Sequence, residues 1–231
     1  ADYSASSSGV TVDLTITQGQ ASGGDAAGDV LVNIQNLTGS AFADTLVGDD
    51  NANQLVGGSG NDSLSGGDGD DTLIGGTGAD TLDGGGGNNT AAYSGSSAGI
   101  AVNLTLTGAQ ASTGDASGDV LSNIQNLTGS AFADSLTGDG NVDVLLGGGG
   151  DDTLAGGAGA DTLDGGSGDN TADYSTSGTG VTVDLTVFGA QTSTGDASGD
   201  VLTNIQNLTG SAFADSLTGD ASANLLLGGG G

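Results

Sequence analysis

The chain has 231 residues, and its 29 acidic residues, all Asp, face no Lys, Arg or His, giving a formal charge of −29. That balance excludes direct contact with nucleic acid or an anionic membrane surface, and the absence of Cys excludes disulfides and thiol chemistry. No apolar run approaches the ~20 residues of a membrane-spanning helix, and 49 Gly without Pro or a three-residue period exclude collagen.

Like charges a few ångströms apart repel by about 1 kcal/mol per pair in water and by more near a protein surface. A compact state therefore needs a cation from outside. Asp is a short, hard-oxygen ligand suited to calcium, whereas magnesium demands a tighter octahedron and keeps its waters. The hydrophobic fraction of 34% recurs at fixed spacing, which argues against the disorder that such a charge otherwise signals.

In chain order, the first element is a cassette over residues 3–38. Val10, Val12, Leu14 and Ile16 alternate with polar residues, the pattern of a half-buried strand. A Gly/Ser loop carrying Asp25 and Asp29 follows, then Leu31, Ile34 and Leu37. The cassette returns at 93–128 and 174–209, with Val181, Val183, Leu185 and Val187 repeating the alternation and Asp115, Asp119, Asp196 and Asp200 repeating the acids. These acid pairs read either as a further calcium site or as solvated loop. At 36 residues the cassette fits two 18-residue coils, and because its apolar residues do not keep the nine-residue phase, wider coils fit equally. Tyr3, Tyr93 and Tyr174, with Phe42, Phe132 and Phe213, are expected to plug the core where cassette meets tract. Asn36-Leu37-Thr38, Asn126-Leu127-Thr128 and Asn207-Leu208-Thr209 match the N-glycosylation acceptor, against the plainer reading of an Asn stack satisfying backbone groups.

Each cassette leads into a glycine-rich tract, at 39–91, 129–172 and 210–231. The long repeats are 1–91, 92–172 and 173–231, expected to form one continuous solenoid over 1–231. From Asp44 to Tyr93 is 49 residues and from Asp134 to Tyr174 is 40, a difference of nine. Nine is also the short period: Leu37, Leu46, Leu55, Leu64, Leu73 and Leu82 fall nine apart, as do Leu127, Leu136, Leu145, Leu154 and Leu163. A whole nonapeptide is gained or lost between copies, as interchangeable stacked units permit.

Within a unit such as Gly66-Gly67-Asp68-Gly69-Asp70-Asp71-Thr72-Leu73-Ile74, glycines allow a tight turn that gathers carbonyl oxygens. The sixth residue adds a carboxylate, and the last three form a short strand with Leu inward. Two units make an 18-residue coil, so corners 18 residues apart stack about 4.8 Å apart. An ion between them takes carboxylates from both corners and carbonyls from the glycines. The carboxylate ligands are Asp44, Asp62, Asp71, Asp80, Asp134, Asp143, Asp152 and Asp161. Carbonyls come from the glycine segments at Gly58, Gly60, Gly67, Gly69, Gly76, Gly78, Gly148, Gly150, Gly157 and Gly159. Asp44, Asp62 and Asp80 stack on one edge and Asn53, Asp71 and Asn89 on the other. In the second copy Asp134, Asp152 and Asn170 stack, as do Asp143 and Asp161. Asn53, Asn89 and Asn170 stand where the carboxylate should be and are weaker ligands.

Five units keep both leading glycines, the fourth-position Gly, the Asp and the Leu. They resemble the RTX (haemolysin-type) calcium-binding nonapeptide, Gly-Gly-x-Gly-x-Asp-x-apolar-x. The resemblance implies an all-β, right-handed parallel β-roll or β-helix solenoid with several calcium ions between its turns. It also implies bacterial secretion as an unfolded chain through type I export. Catalysis is poorly served, because no His, Cys or Lys is present to act as base or nucleophile; the chain is expected not to be an enzyme.

Two functions remain. The first is a calcium-stiffened extracellular rod, part of a surface, adhesin, matrix or filament protein. The second is the carboxy-terminal folding and export module of a secreted hydrolase or toxin. The chain stops at Gly228-Gly229-Gly230-Gly231 within a unit, which is read as a window from a longer protein or as an end that joins further copies end to end. A flat Thr array for ice binding fits poorly, since loop position three varies (Ser59, Asp68, Thr77, Gly149, Ala158).

Overall fold

The structure, a computed structural model, describes residues 1–20 and 23–231; Ala21 and Ser22, in the loop of the first cassette, lie outside the described residues. Among the described residues the regular elements are short parallel strands and three-residue 3-10 turns, with no α-helix. The chain divides into two compact units: Ala1–Ser96 with Leu106–Ile124, and Ser97–Thr105 with Gln125–Gly231.

In the first unit, one ladder runs through Thr11–Asp13, Thr45–Val47, Ser63–Ser65, Thr81–Asp83 and Val120–Ser122. A second runs through Asn36–Thr38, Gln54–Ser59, Thr72–Thr77 and Thr90–Ala92. The register places Val12, Leu46, Leu64, Leu82 and Leu121 in one stack, and Leu37, Leu55, Leu73 and Ala91 in the other. All nine side chains are buried. The stacked residue of each strand points inward and its flanking residues, most of them polar, are more exposed, as side-chain alternation requires. Each fully buried Leu contributes about 1.5–3 kcal/mol.

The second unit repeats the plan. One ladder joins Ala101–Asn103, Ser135–Thr137, Thr153–Ala155, Thr171–Asp173, Asn207–Thr209 and Leu226–Leu227. Another joins Asn126–Thr128, Val144–Leu146, Thr162–Asp164 and Val201–Thr203. A further pair joins Thr182–Asp184 to Ser216–Thr218. This is the all-β parallel roll architecture that the nine-residue leucine spacing requires.

The cassette resolves as one wide coil. Within the tract a stacking step takes 18 residues, as from Thr153 to Thr171, but across the third cassette Thr171 lies directly beside Asn207, 36 residues on. The extra length holds the 3-10 turn Gly195–Ala197 and the strand Thr182–Asp184. That strand is shorter than the alternation of Val181 to Val187 suggests. Asp184 Oδ1 accepts hydrogen bonds from Thr186 N at 2.8 Å and Thr186 Oγ1 at 2.7 Å, a local turn that competes with the ladder. Val187 is left exposed beside a fully exposed Phe188. In the first cassette Asp13 and Thr15 end the strand in the same way.

The expectation that both aromatic sets plug the core holds for the tyrosines only. Tyr3, Tyr93 and Tyr174 are buried, whereas Phe42, Phe132 and Phe213 are 46–48% exposed. Phe42 lies 18 residues before Gly60, the fourth position of its turn, so it sits on the outer corner of the coil and not in register with the inward leucines.

Candidate metal centre

The corners of the roll are where the charges collect. A turn that packs directly on the turn 18 residues earlier has no room for side chains at its glycines. Gly76 shows this: its φ is +95°, and a Cβ there would collide with the Gly58 carbonyl oxygen. All the glycines named above as carbonyl donors, from Gly58 to Gly159, have positive φ. Gly85, Gly87, Gly166 and Gly168 share that geometry in the Asn-bearing turns.

The expected stacks of acids are present, joined by a specific contact. Each corner donates its backbone N–H to a side-chain oxygen of the next, a carboxylate of Asp or the amide oxygen of Asn. Asp44 N donates to Asp62 Oδ1 and Asp62 N to Asp80 Oδ1, both at 2.8 Å. On the other edge Asn53 N donates to Asp71 Oδ1 at 2.8 Å and Asp71 N to Asn89 Oδ1 at 3.0 Å. In the second unit Asp134 N donates to Asp152, Asp152 N to Asn170, and Asp143 N to Asp161. One oxygen of each stacked carboxylate is therefore committed to the backbone.

The second oxygen is different. Asp62, Asp71, Asp80, Asp152 and Asp161 bury Oδ2, and Asp143 buries Oδ1, without a hydrogen-bond partner. A buried charge without a partner costs several kcal/mol. Burial raises the carboxyls of Asp71, Asp80 and Asp161 above the ordinary carboxylate range. Burial first, with neighbouring Asp charges adding to it, pushes Asp62 and Asp143 up to about 7 and Asp152 to about 6, although backbone N–H donors act against the shift.

The surroundings of these oxygens fit a hard cation. A Cβ on Gly57 would fall between Asp62 Oδ2 and the Gly75 carbonyl oxygen, the latter at 2.6 Å. A Cβ on Gly66 would meet Asp71 Oδ2 and the Gly84 carbonyl, also at 2.6 Å. Carboxylate and carbonyl oxygens thus converge on a glycine-lined cradle, the donor set calcium prefers. Among the described residues no three Asp side chains come close enough to hold a metal by themselves. Carbonyls and water must complete the shell.

Asp44 and Asp134 belong to the stacks but lack the orphaned oxygen. Ser40 donates its N–H to Asp44 Oδ2 at 2.5 Å and its hydroxyl to Oδ1 at 2.9 Å, and Val10 N donates to Oδ1 at 2.7 Å. Ser130 and Ile100 do the same for Asp134. Ser replaces the second glycine of the turn in Gly39-Ser40-Ala41-Phe42-Ala43-Asp44, and its hydroxyl supplies the donor.

Sequence reasoning did not place Asp119 and Asp200 in the corner stacks. Asp80 N donates to Asp119 Oδ1 at 2.8 Å and Asp161 N to Asp200 Oδ1 at 2.9 Å, continuing the stacks into the cassette. The phenols of Tyr93 and Tyr174 donate to the other oxygen of each, at 3.0 and 2.9 Å. The constant separation of 26 residues between Tyr and Asp was the available signal. The sequon Asn side chains act as a stack at two positions: Asn36 Oδ1 accepts from Gln54 N, and Asn207 Oδ1 from Leu225 N.

Among the described residues no helix is long and apolar enough to cross a membrane. A family model, the RTX calcium-binding nonapeptide repeat, matches residues 34–64, 56–91, 123–154, 137–172 and 205–231, more than half of the chain. No curated protein matches the chain at a significant level.

Proposed function

The chain belongs to the RTX calcium-binding nonapeptide repeat family, and on that premise we propose that it is a calcium-stiffened structural segment of a secreted bacterial surface, adhesin, matrix or filament protein. The observation that carries the calcium dependence is the set of six buried carboxylate oxygens without a donor, repeated at stacked corners in both units. Each is a site where the fold is incomplete in energy until a cation arrives. The chain's own residues do the rest: glycines open the cradle, carbonyls face it, and leucines hold the corners in register.

Several ions bound to the folded and not to the unfolded chain add their binding free energy to folding. At low calcium the uncompensated aspartates favour the open chain. At the millimolar calcium found outside cells the roll closes. The same conditional fold supports the alternative, a carboxy-terminal export module of a secreted hydrolase or toxin, since an open chain at low calcium suits passage through a type I exporter.

Repetition of the same tract coils and cassette coil in successive copies, with buried side chains devoted to packing and corner chemistry, favours the structural reading over an enzyme. Circular dichroism during a calcium titration tests the premise common to both readings. The spectrum should pass from disordered to β-structured with calcium, and magnesium should not replace it. A β-structured spectrum in chelator would reject the calcium-conditional fold.

A further inference from the structure

The second turn of each tract is homologous across the three copies, and the chain itself supplies the comparison. The first reads Gly48-Asp49-Asp50-Asn51-Ala52-Asn53, the second Gly138-Asp139-Gly140-Asn141-Val142-Asp143, and the third Gly219-Asp220-Ala221-Ser222-Ala223-Asn224. Only the second ends in Asp.

In the first turn, Asn53 Nδ2 donates to the Gln35 carbonyl at 2.9 Å and to Asp49 Oδ1 at 3.2 Å. In the third, Asn224 Nδ2 donates to the Gln206 carbonyl at 2.7 Å and to Asp220 Oδ1 at 3.1 Å. Both contacts reach the residue 18 positions earlier and the acid four positions earlier. Both need a positively polarised donor, because the two partners are oxygens.

In the second turn the corresponding residues are Gln125, Asp139 and Asp143. Asp139 N donates to Asp143 Oδ2 at 2.7 Å, as Asp49 N donates to Asn53 Oδ1, so the side chain is held in the same way. Its remaining atom, Oδ1, is an oxygen, fully buried and without a hydrogen-bond partner. Where the sister turns place an amide NH2 between two oxygens, this turn places a third oxygen.

We propose that Asp143 Oδ1, the Gln125 carbonyl and the Asp139 carboxylate hold a divalent hard cation, calcium, at the second turn of the second tract, and that the first and third tracts have an asparagine amide there instead. The site uses Oδ1, whereas the oxygen of Asp143 that stands beside the Gly138 cradle is Oδ2. It rests on the calcium reading above, yet it makes a claim of its own about copy number. Two carboxylates and a carbonyl leave room for water ligands, which calcium's six-to-eight-oxygen shell accepts.

The test is ion counting on the whole chain at saturating calcium, by native mass spectrometry and by titration calorimetry. Asp143→Asn converts the second turn to the residue its sisters carry, so retention of the fold is expected, with circular dichroism in calcium to verify it. The variant should bind one calcium fewer than the parent, and Asn53→Asp should bind one more. An unchanged count in either folded variant overturns the assignment, and in the case of Asp143→Asn would mean that the buried oxygen carries a proton. If the parent chain bound no calcium, the broader reading would fail and this site with it. A parent that binds calcium alongside an unchanged Asp143→Asn count removes this site alone.

Discussion

Replacing Asp62 by Asn should change stability with opposite sign in chelator and in calcium. Its carboxyl stands near 7 in the fold against an ordinary 3.8, because burial and the charges of Asp80 and Asp44 outweigh the hydrogen bond from Asp44 N. At 1.36 kcal/mol per unit, three units set a ceiling of about 4 kcal/mol on the cost of the charge at neutral pH. Solvent screening at the corner reduces the realistic figure to about 1–3 kcal/mol. An amide keeps the acceptor for Asp44 N, just as Asn89 Oδ1 accepts from Asp71 N, and removes the charge. In chelator, where the parent is unfolded without urea, the variant should therefore need less of the osmolyte trimethylamine N-oxide to fold than the parent. In calcium it loses an ion ligand, and a site filled at about 100 times its dissociation constant contributes roughly 2.7 kcal/mol, so the variant should unfold at lower urea. Asp44→Asn is the control: its carboxylate is satisfied by Ser40 and Val10, and the loss should be similar in both buffers. Urea unfolding of the three proteins in calcium, and osmolyte-driven folding of the three in chelator, decide the matter. A shift of the same sign for Asp62→Asn in both buffers would refute the reasoning.

Acid should partly replace calcium. Asp62, Asp143 and Asp152 bind protons in the fold with midpoints near 7, 7 and 6, well above their unfolded values, so between pH 4 and 7 the folded chain holds more protons. Stability of the metal-free chain then falls as pH rises through that window and is flat above it; the osmolyte concentration needed to fold the chain in chelator should drop from pH 7.5 to 5, and a rise would contradict the shifts. Asp49 and Asp215, whose carboxyls are held low, act in the opposite sense only below about pH 4. Leu73→Ala removes a fully buried side chain from the middle of its stack and should cost about 2–5 kcal/mol in calcium-loaded urea unfolding; a loss below 1 kcal/mol would mean the leucine ladder is not the core. Tyr93→Phe leaves Asp119 Oδ2 buried without its phenol donor and should cost about 1–3 kcal/mol in urea unfolding; no measurable loss would mean that the phenol does not hold the corner.

The leucine period was sufficient to foresee the parallel ladders, because a nine-residue unit with one apolar centre admits one inward position per strand. Corner stacking followed from the same arithmetic, and Asp44, Asp62 and Asp80 do line one edge. The cassette was harder to read. Its 36 residues equal two coils in length, and only the pairing of Thr171 with Asn207 shows that one wide coil is built. Alternation of Val10 to Ile16 overstated the strand because Asp13 captures Thr15 locally, a competition hydrophobic spacing cannot register. The phenylalanines misled by chemistry: an aromatic is usually core, yet Phe42 occupies a fourth-position glycine site on the outer corner. Within the site, Asp identity revealed where charge would gather but not which oxygens would find donors. Ser40, Tyr93 and Asn53 separate satisfied corners from unsatisfied ones, and each acts through a side chain distant or unremarkable in the sequence.

The central claim is that cations complete the corners where buried carboxylate oxygens lack donors. Anomalous diffraction from crystals grown in calcium measures this directly. Peaks should lie against Asp62, Asp71 and Asp80 and against Asp143, Asp152 and Asp161, with none bound by Asp44 or Asp134 alone. Ordered corners without anomalous density, or peaks confined to the exposed acids of the loops, would contradict it.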